Sequence, residues 1–169
     1  MSVMNSTLWS ATGSFGLQDA HAMVKKAWRE FERSRNADED DNRRDAALNC
    51  AMTVWHVCDW AWAGMAAQGR WKPEFLQLLG VVGRNAKKED FVAWAVRECP
   101  ALEICQSICN GTKHVHADRA IRTKTEPGVQ TGDPVRMLLD DGTDRDIFPI
   151  LEEAVYFWIR QATNEAVML

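Results

Sequence analysis

DAALNCAMTVWHVCDWAWAGMAA, residues 45–67, decides the fold class. Within it Ala47, Cys50, Ala51, Val54, Cys58, Ala61, Trp62 and Met65 recur at three- and four-residue intervals and draw one continuous apolar stripe. Only an α-helix puts that spacing on one face, because a strand alternates every second residue. Gly69 is placed to end the helix, since a residue without a Cβ accepts the left-handed backbone of a C-cap. A second line on the same helix carries Asn49, Thr53, His56 and Trp60, with Asp59 one turn after His56. Polar groups aligned on a mostly apolar helix either close hydrogen bonds in a core or serve a site, and the pattern alone favours the core.

Upstream, Leu17, Ala20, Val24, Trp28 and Phe31 predict a first helix over residues 17–31, with Asp19 where negative charge suits an N-terminus. The stretch RSRNADEDDNRRD, residues 33–45, is charged and lacks apolar periodicity, so it reads as a solvated connection running into the next helix. Downstream, PEFLQLLGVVG (73–83) and KKEDFVAWAVREC (87–99) predict two helical pieces, the second stopping before Pro100. Leu102, Cys105, Ile108 and Cys109 mark a further helix over residues 101–113, which Gly111 is expected to interrupt near its end.

Three turn signals, Pro127-Gly128, Gly132-Asp133-Pro134 and Asp141-Gly142, crowd the next segment. Residues 135–139 and 119–125 are the strand candidates there. Ile147, Ile150, Leu151, Ala154, Phe157, Trp158 and Gln161 then define a last amphipathic helix. The expected fold is mainly α: a four- to five-helix bundle with a small β-hairpin or irregular insert at 118–146, before the last helix. Residues 1–169 are read as one domain, with 1–16 loosely ordered.

Composition bounds the rest. A 169-residue chain that is 46% hydrophobic and 26% charged suits a single packed core. No apolar run reaches membrane-spanning length, and the N-terminus lacks the basic and apolar regions of a secretory signal. Five cysteines without framework spacing point to reduced thiols in a cytoplasm. Cys105 and Cys109, one turn apart, read as small buried residues, because the paired CxxC spacing of structural zinc is absent. The eight tryptophans read mainly as gap-fillers between helices. A net charge of −4 excludes a protein that coats nucleic acid with its entire surface, yet Lys113, Arg119, Arg122 and Lys124 form a local basic strip opposed only by Asp118.

Three of the four histidines, His56, His114 and His116, frame the candidate chemistry. If the second helix packs on the one ending near His114, then His56, Asp59, Asn110, Lys113 and His114 converge. An imidazole moves a proton near neutral pH, an ammonium offsets charge on phosphate, and an amide orients the group to be cut. RNA supplies its own 2′-hydroxyl, so such a site needs no cofactor. His114, Asn110 and Lys113 are the catalytic candidates, with His56, Asp59, His116 and Arg119 supporting. The alternatives are a metal site on His56, Asp59, His114 and His116, completed by Glu152 or Glu153, and a structural adaptor whose tryptophan-rich helices form a dimer interface. Neither a glycine-rich phosphate loop nor a serine-nucleophile elbow occurs.

LNCAMTVWHVCDWAW (48–62), CPALEICQSICNGTKHVH (99–116) and ILEEAVYFWIRQ (150–161) together resemble the helical HEPN superfamily. They are more closely similar to bacterial helical proteins with W-H-x-x-D-W and N-G-x-K-H segments. The resemblance implies a bundle, frequently a homodimer, from toxin–antitoxin or phage-defence systems, with RNA or a nucleotide as ligand and an antitoxin or other defence protein as partner. It also implies an arginine, a polar residue and then a histidine as the active pattern. Asn110 and His114 match the last two, while Cys109 stands at the arginine position. A thiol cannot replace a guanidinium fork on phosphate, so the resemblance extends to non-catalytic relatives.

Overall fold

In the computed structural model, residues 16–66, 72–113, 135–138 and 142–162 are described; the candidates His114, His116 and Arg119 and the strand candidate 119–125 lie outside them. Among the described residues are α1 (Ala20–Asn36), α2 (Asp40–Ala66), α3 (Pro73–Leu79), α4 (Lys88–Glu98), α5 (Ala101–Lys113), β1 (Arg136–Leu138), β2 (Asp144–Asp146) and α6 (Phe148–Ala162). The chain is mainly helical, as its apolar periodicities require, with a two-stranded antiparallel hairpin before the last helix.

The carboxylate of Asp19 caps α1 by accepting from Ala22 N at 2.7 Å. This satisfies one amide that has no partner within the helix. The helix runs at least one full turn beyond the apolar stripe that predicts it, because Ser34, one turn after Glu30 and Phe31, still faces the core. Phe31 and Ser34 are buried, and Ser34 Oγ donates to the Phe31 carbonyl at 2.7 Å. The charged stretch 33–45 is therefore mostly helix, and only residues 37–39 connect α1 to α2. Arg43 explains how so polar a segment folds tightly. Its side chain is buried, Nη2 donates to the Ala37 carbonyl at 3.3 Å, and Nη1 lies 3.8 Å from Asp40.

α2 is the axis of the bundle and touches α1, α4, α5 and α6. Its predicted stripe is the buried face, with Ala47, Cys50, Ala51, Val54, Cys58, Ala61 and Met65 all inside. Trp158 of α6 fixes the packing from the opposite side: its indole N–H donates to the Val54 carbonyl at 2.9 Å, both groups buried. Around that bond lies an aromatic cluster centred on Phe91. The Phe91 ring lies 5.3 Å from Trp94 and 6.3 Å from Trp158, and Phe157 packs edge-on against Trp158 at 4.9 Å. Such pairs contribute about 1 kcal/mol each beyond the area they bury.

α3 ends at Gly80, whose φ of +69° is a conformation that a side chain would strain. The loop that follows is fastened to α4 by Arg84, whose two terminal nitrogens each lie 2.6 Å from a different oxygen of Asp90. Asp90 also accepts from Lys87 N at 2.8 Å, at the start of α4. α5 continues through Gly111 to Lys113, so that glycine does not break the helix.

In the hairpin, Arg136 pairs with Asp146 and Leu138 with Asp144. The partner of β1 thus lies within the 118–146 insert, at residues that are not among the strand candidates. Met137 is fully buried and Ile147 N donates to the Val135 carbonyl at 3.0 Å, which ties the hairpin to the start of α6.

Trp158→Phe is expected to lower stability by about 2 kcal/mol through the lost hydrogen bond and the space left behind, read from urea unfolding followed by circular dichroism. Asp90 supplies a pH test. The Arg84 guanidinium, then the Lys87 amide, hold its carboxyl down at about 2, against an ordinary value of 3.8. A carboxyl with a depressed folded-state pKa stabilises the fold above its unfolded value, and the contribution disappears as pH falls through the folded one. Asp90→Asn should therefore show a shallower loss of stability between pH 4 and pH 2 than the wild type, in urea midpoints taken across that range.

Candidate functional site

The polar line on α2 separates into three environments. Thr53 is buried against α1, where Lys26 Nζ donates to its Oγ1 at 2.7 Å and its hydroxyl donates to the Asn49 carbonyl at 2.6 Å. Asp59 is exposed and bound by Lys88 Nζ at 2.6 Å, across to the first residue of α4. The hydrogen bond to Asp59 raises the Lys88 ammonium above its ordinary range. His56 lies between them, half-buried, and faces α5.

Cys109 Sγ lies 3.6 Å from His56 Nε2. This contact carries the polar face of α2 to the last turns of α5. Cys109 is fully buried, whereas Asn110, the next residue, is exposed. Thr112 Oγ1 donates to the Cys109 carbonyl at 2.8 Å, a side-chain bond back to the preceding turn. The backbone of α5 ends with Lys113. His56 and the Asn110 turn therefore share one seam, while the carboxylate of Asp59 is engaged by Lys88. Among the described residues, no three histidine, cysteine or acidic side chains gather as a metal site would require.

Four of the five cysteines are poorly suited to act as nucleophiles. Cys50, Cys58, Cys99, Cys105 and Cys109 are free and buried. Burial, reinforced by the carboxylate of Glu30, pushes the Cys50 thiol up to about 12. Burial and then Glu153 push Cys99 up to about 11, burial and then Asp59 raise Cys58, and burial above all raises Cys105. A thiol that resists ionisation is a poor attacking group.

Sequence reading missed a cluster on α1. Glu30 is buried and holds Arg33 at 2.8 Å and Lys26 at 3.4 Å, beside Thr53. The signal was present, because Glu30 falls on the face of Ala20, Met23, Val24, Ala27 and Phe31. Its charge is matched and its lone pairs are used, so the cluster fastens α1 to α2.

The chain matches no protein-family model, no curated protein and no solved structure. Among the described residues, no helix is long and apolar enough to cross a membrane.

The five thiols give a direct check on this packing. At pH 8 the native protein should react with a thiol-specific disulfide reagent far more slowly than protein in guanidinium, where all five become available. Rapid labelling of Cys109 in the native state would mean that the His56 seam is open.

Proposed function

We propose that this chain is a HEPN-like helical bundle of a bacterial toxin–antitoxin or phage-defence system that binds RNA or a nucleotide through its phosphates without cutting it. The contact of His56 with Cys109 carries this reading. It joins the polar face of α2 to the turn bearing Asn110, directly ahead of the basic strip Lys113, Arg119, Arg122 and Lys124, with His114 and His116 inside that strip. Carbonyls at a helix C-terminus repel phosphate, so affinity would rest on those cations rather than on the helix.

Binding is favoured over cleavage by the residue at the arginine position of the resemblance. Cys109 has no charge to grip a phosphate and is buried against His56. An ammonium such as that of Lys113 attracts phosphate as a point charge and does not orient it as a guanidinium fork does. The proposed setting is a cytoplasm, where the free thiols stay reduced. An antitoxin or other defence protein is the proposed protein partner.

A fluorescein-labelled single-stranded RNA of about 20 nucleotides tests the reading by anisotropy and gel. Binding should weaken with salt, and the RNA should stay intact. Lys113→Ala should lower the salt slope by about one. His114→Ala should weaken binding with the helical circular-dichroism signal unchanged. Absence of binding, or binding unaltered in both variants, would remove the proposed site; cut RNA would overturn the non-cleaving assignment.

A further inference from the structure

On the opposite pair of helices, α1 and α6 leave an apolar groove of about 440 Å³ between them, lined by Val24, Lys25, Trp28, Arg29, Tyr156 and Ile159. None of these residues belongs to α2 or α5. Trp28 and Tyr156 form its wall, edge to face with centroids 5.8 Å apart, and Tyr156 remains 40% exposed. A tyrosine ring held open to water beside a half-buried tryptophan is the kind of surface that binding partners cover.

The charges on α1 distinguish this groove from ordinary surface. Lys26 and Arg33 are paired with Glu30, and Arg35 lies 4.0 Å from Glu152. Lys25 and Arg29 are exposed, and among the described residues neither has a carboxylate partner. They stand one helical turn apart on the rim of the groove, so two cations border an apolar floor on a protein whose net charge is −4.

The geometry points to a docking site for an amphipathic helix of another protein, its apolar residues in the groove and its carboxylates on Lys25 and Arg29. A helix suits the space because a groove between two packed helices accepts side chains at i, i+3, i+4 and i+7. The rim specifies acidic flanks. A second copy of this chain fits less well, since two-fold pairing of the same face brings Lys25 and Arg29 towards their own equivalents. Nucleic acid fits less well too, because the floor is aliphatic as well as aromatic and offers two cations where a tracked backbone calls for a longer row.

The test uses the full chain and two labelled helical peptides of about 18 residues with the same leucine pattern, one flanked by glutamates and one by lysines. The acidic peptide should bind at least tenfold more tightly than the basic one, a preference that the double variant Lys25→Glu, Arg29→Glu should reverse. Tyr156→Asp, a carboxylate placed in the wall, should weaken the acidic peptide at least tenfold. Thermal melts confirm folding of each variant, and protection of Lys25 from acetylation by bound acidic peptide supplies a second readout on the unaltered protein. Equal affinity for both peptides, no saturable binding of the acidic one, or an unprotected Lys25 would overturn the proposal. So would wild-type self-association abolished by the double charge reversal, which assigns the groove to a second copy, or displacement of the peptide by single-stranded RNA.

Discussion

From Ala46 onward α2 is largely apolar and would expose that surface if it stood alone in water, and the remaining architecture is what encloses it. α1 covers one long side, α5 another, and α6 reaches its middle through the indole of Trp158, bonded to the Val54 carbonyl at 2.9 Å. A buried indole N–H without an acceptor costs about 1–3 kcal/mol, so this bond also selects which turn of α2 meets α6. The aromatic cluster of Phe91, Trp94, Phe157 and Trp158 then fills the space that the bond defines.

Enclosure decides what each polar residue on α2 is for. Where α1 covers the helix, polarity has to be satisfied internally, and Lys26, Glu30, Arg33 and Thr53 accomplish this among themselves. Near the start of α4 the helix is open to solvent, and Asp59 engages Lys88 there. His56 is half-buried and meets Cys109 at the edge of the α2–α5 seam. That contact sets it beside the turn of α5 that carries the exposed Asn110.

Much of the fold was legible because periodicity reports burial directly. Seven of the eight stripe positions on α2 are fully buried, and Trp62 lies just outside them at the edge of the aromatic cluster. Misreadings arose where tertiary partners outweighed local composition. Residues 33–45 look solvated in sequence, but Arg43 is drawn inside by the Ala37 carbonyl and the chain stays helical. Gly111 looks like a helix breaker, yet α5 absorbs its modest cost so close to the end. Strand pairing was harder still, since β2 is three polar and charged residues, Asp144, Arg145 and Asp146, with no alternation to announce it. The site was legible only as a list of residue types, because the residues that a helix line brings together depend on which neighbour covers each part of it.

The resemblance and the geometry bear on different questions. The short segments around His56 and Asn110 suggest a superfamily, whereas the seam between α2 and α5 rests on packing. That seam is the central claim, and a nuclear Overhauser spectrum of ¹³C-labelled protein tests it most directly. With Nε2 and Sγ 3.6 Å apart, the ring protons of His56 should show strong cross-peaks to the β-protons of Cys109. A His56 ring whose cross-peaks stay within α2, with none to α5, would contradict the account.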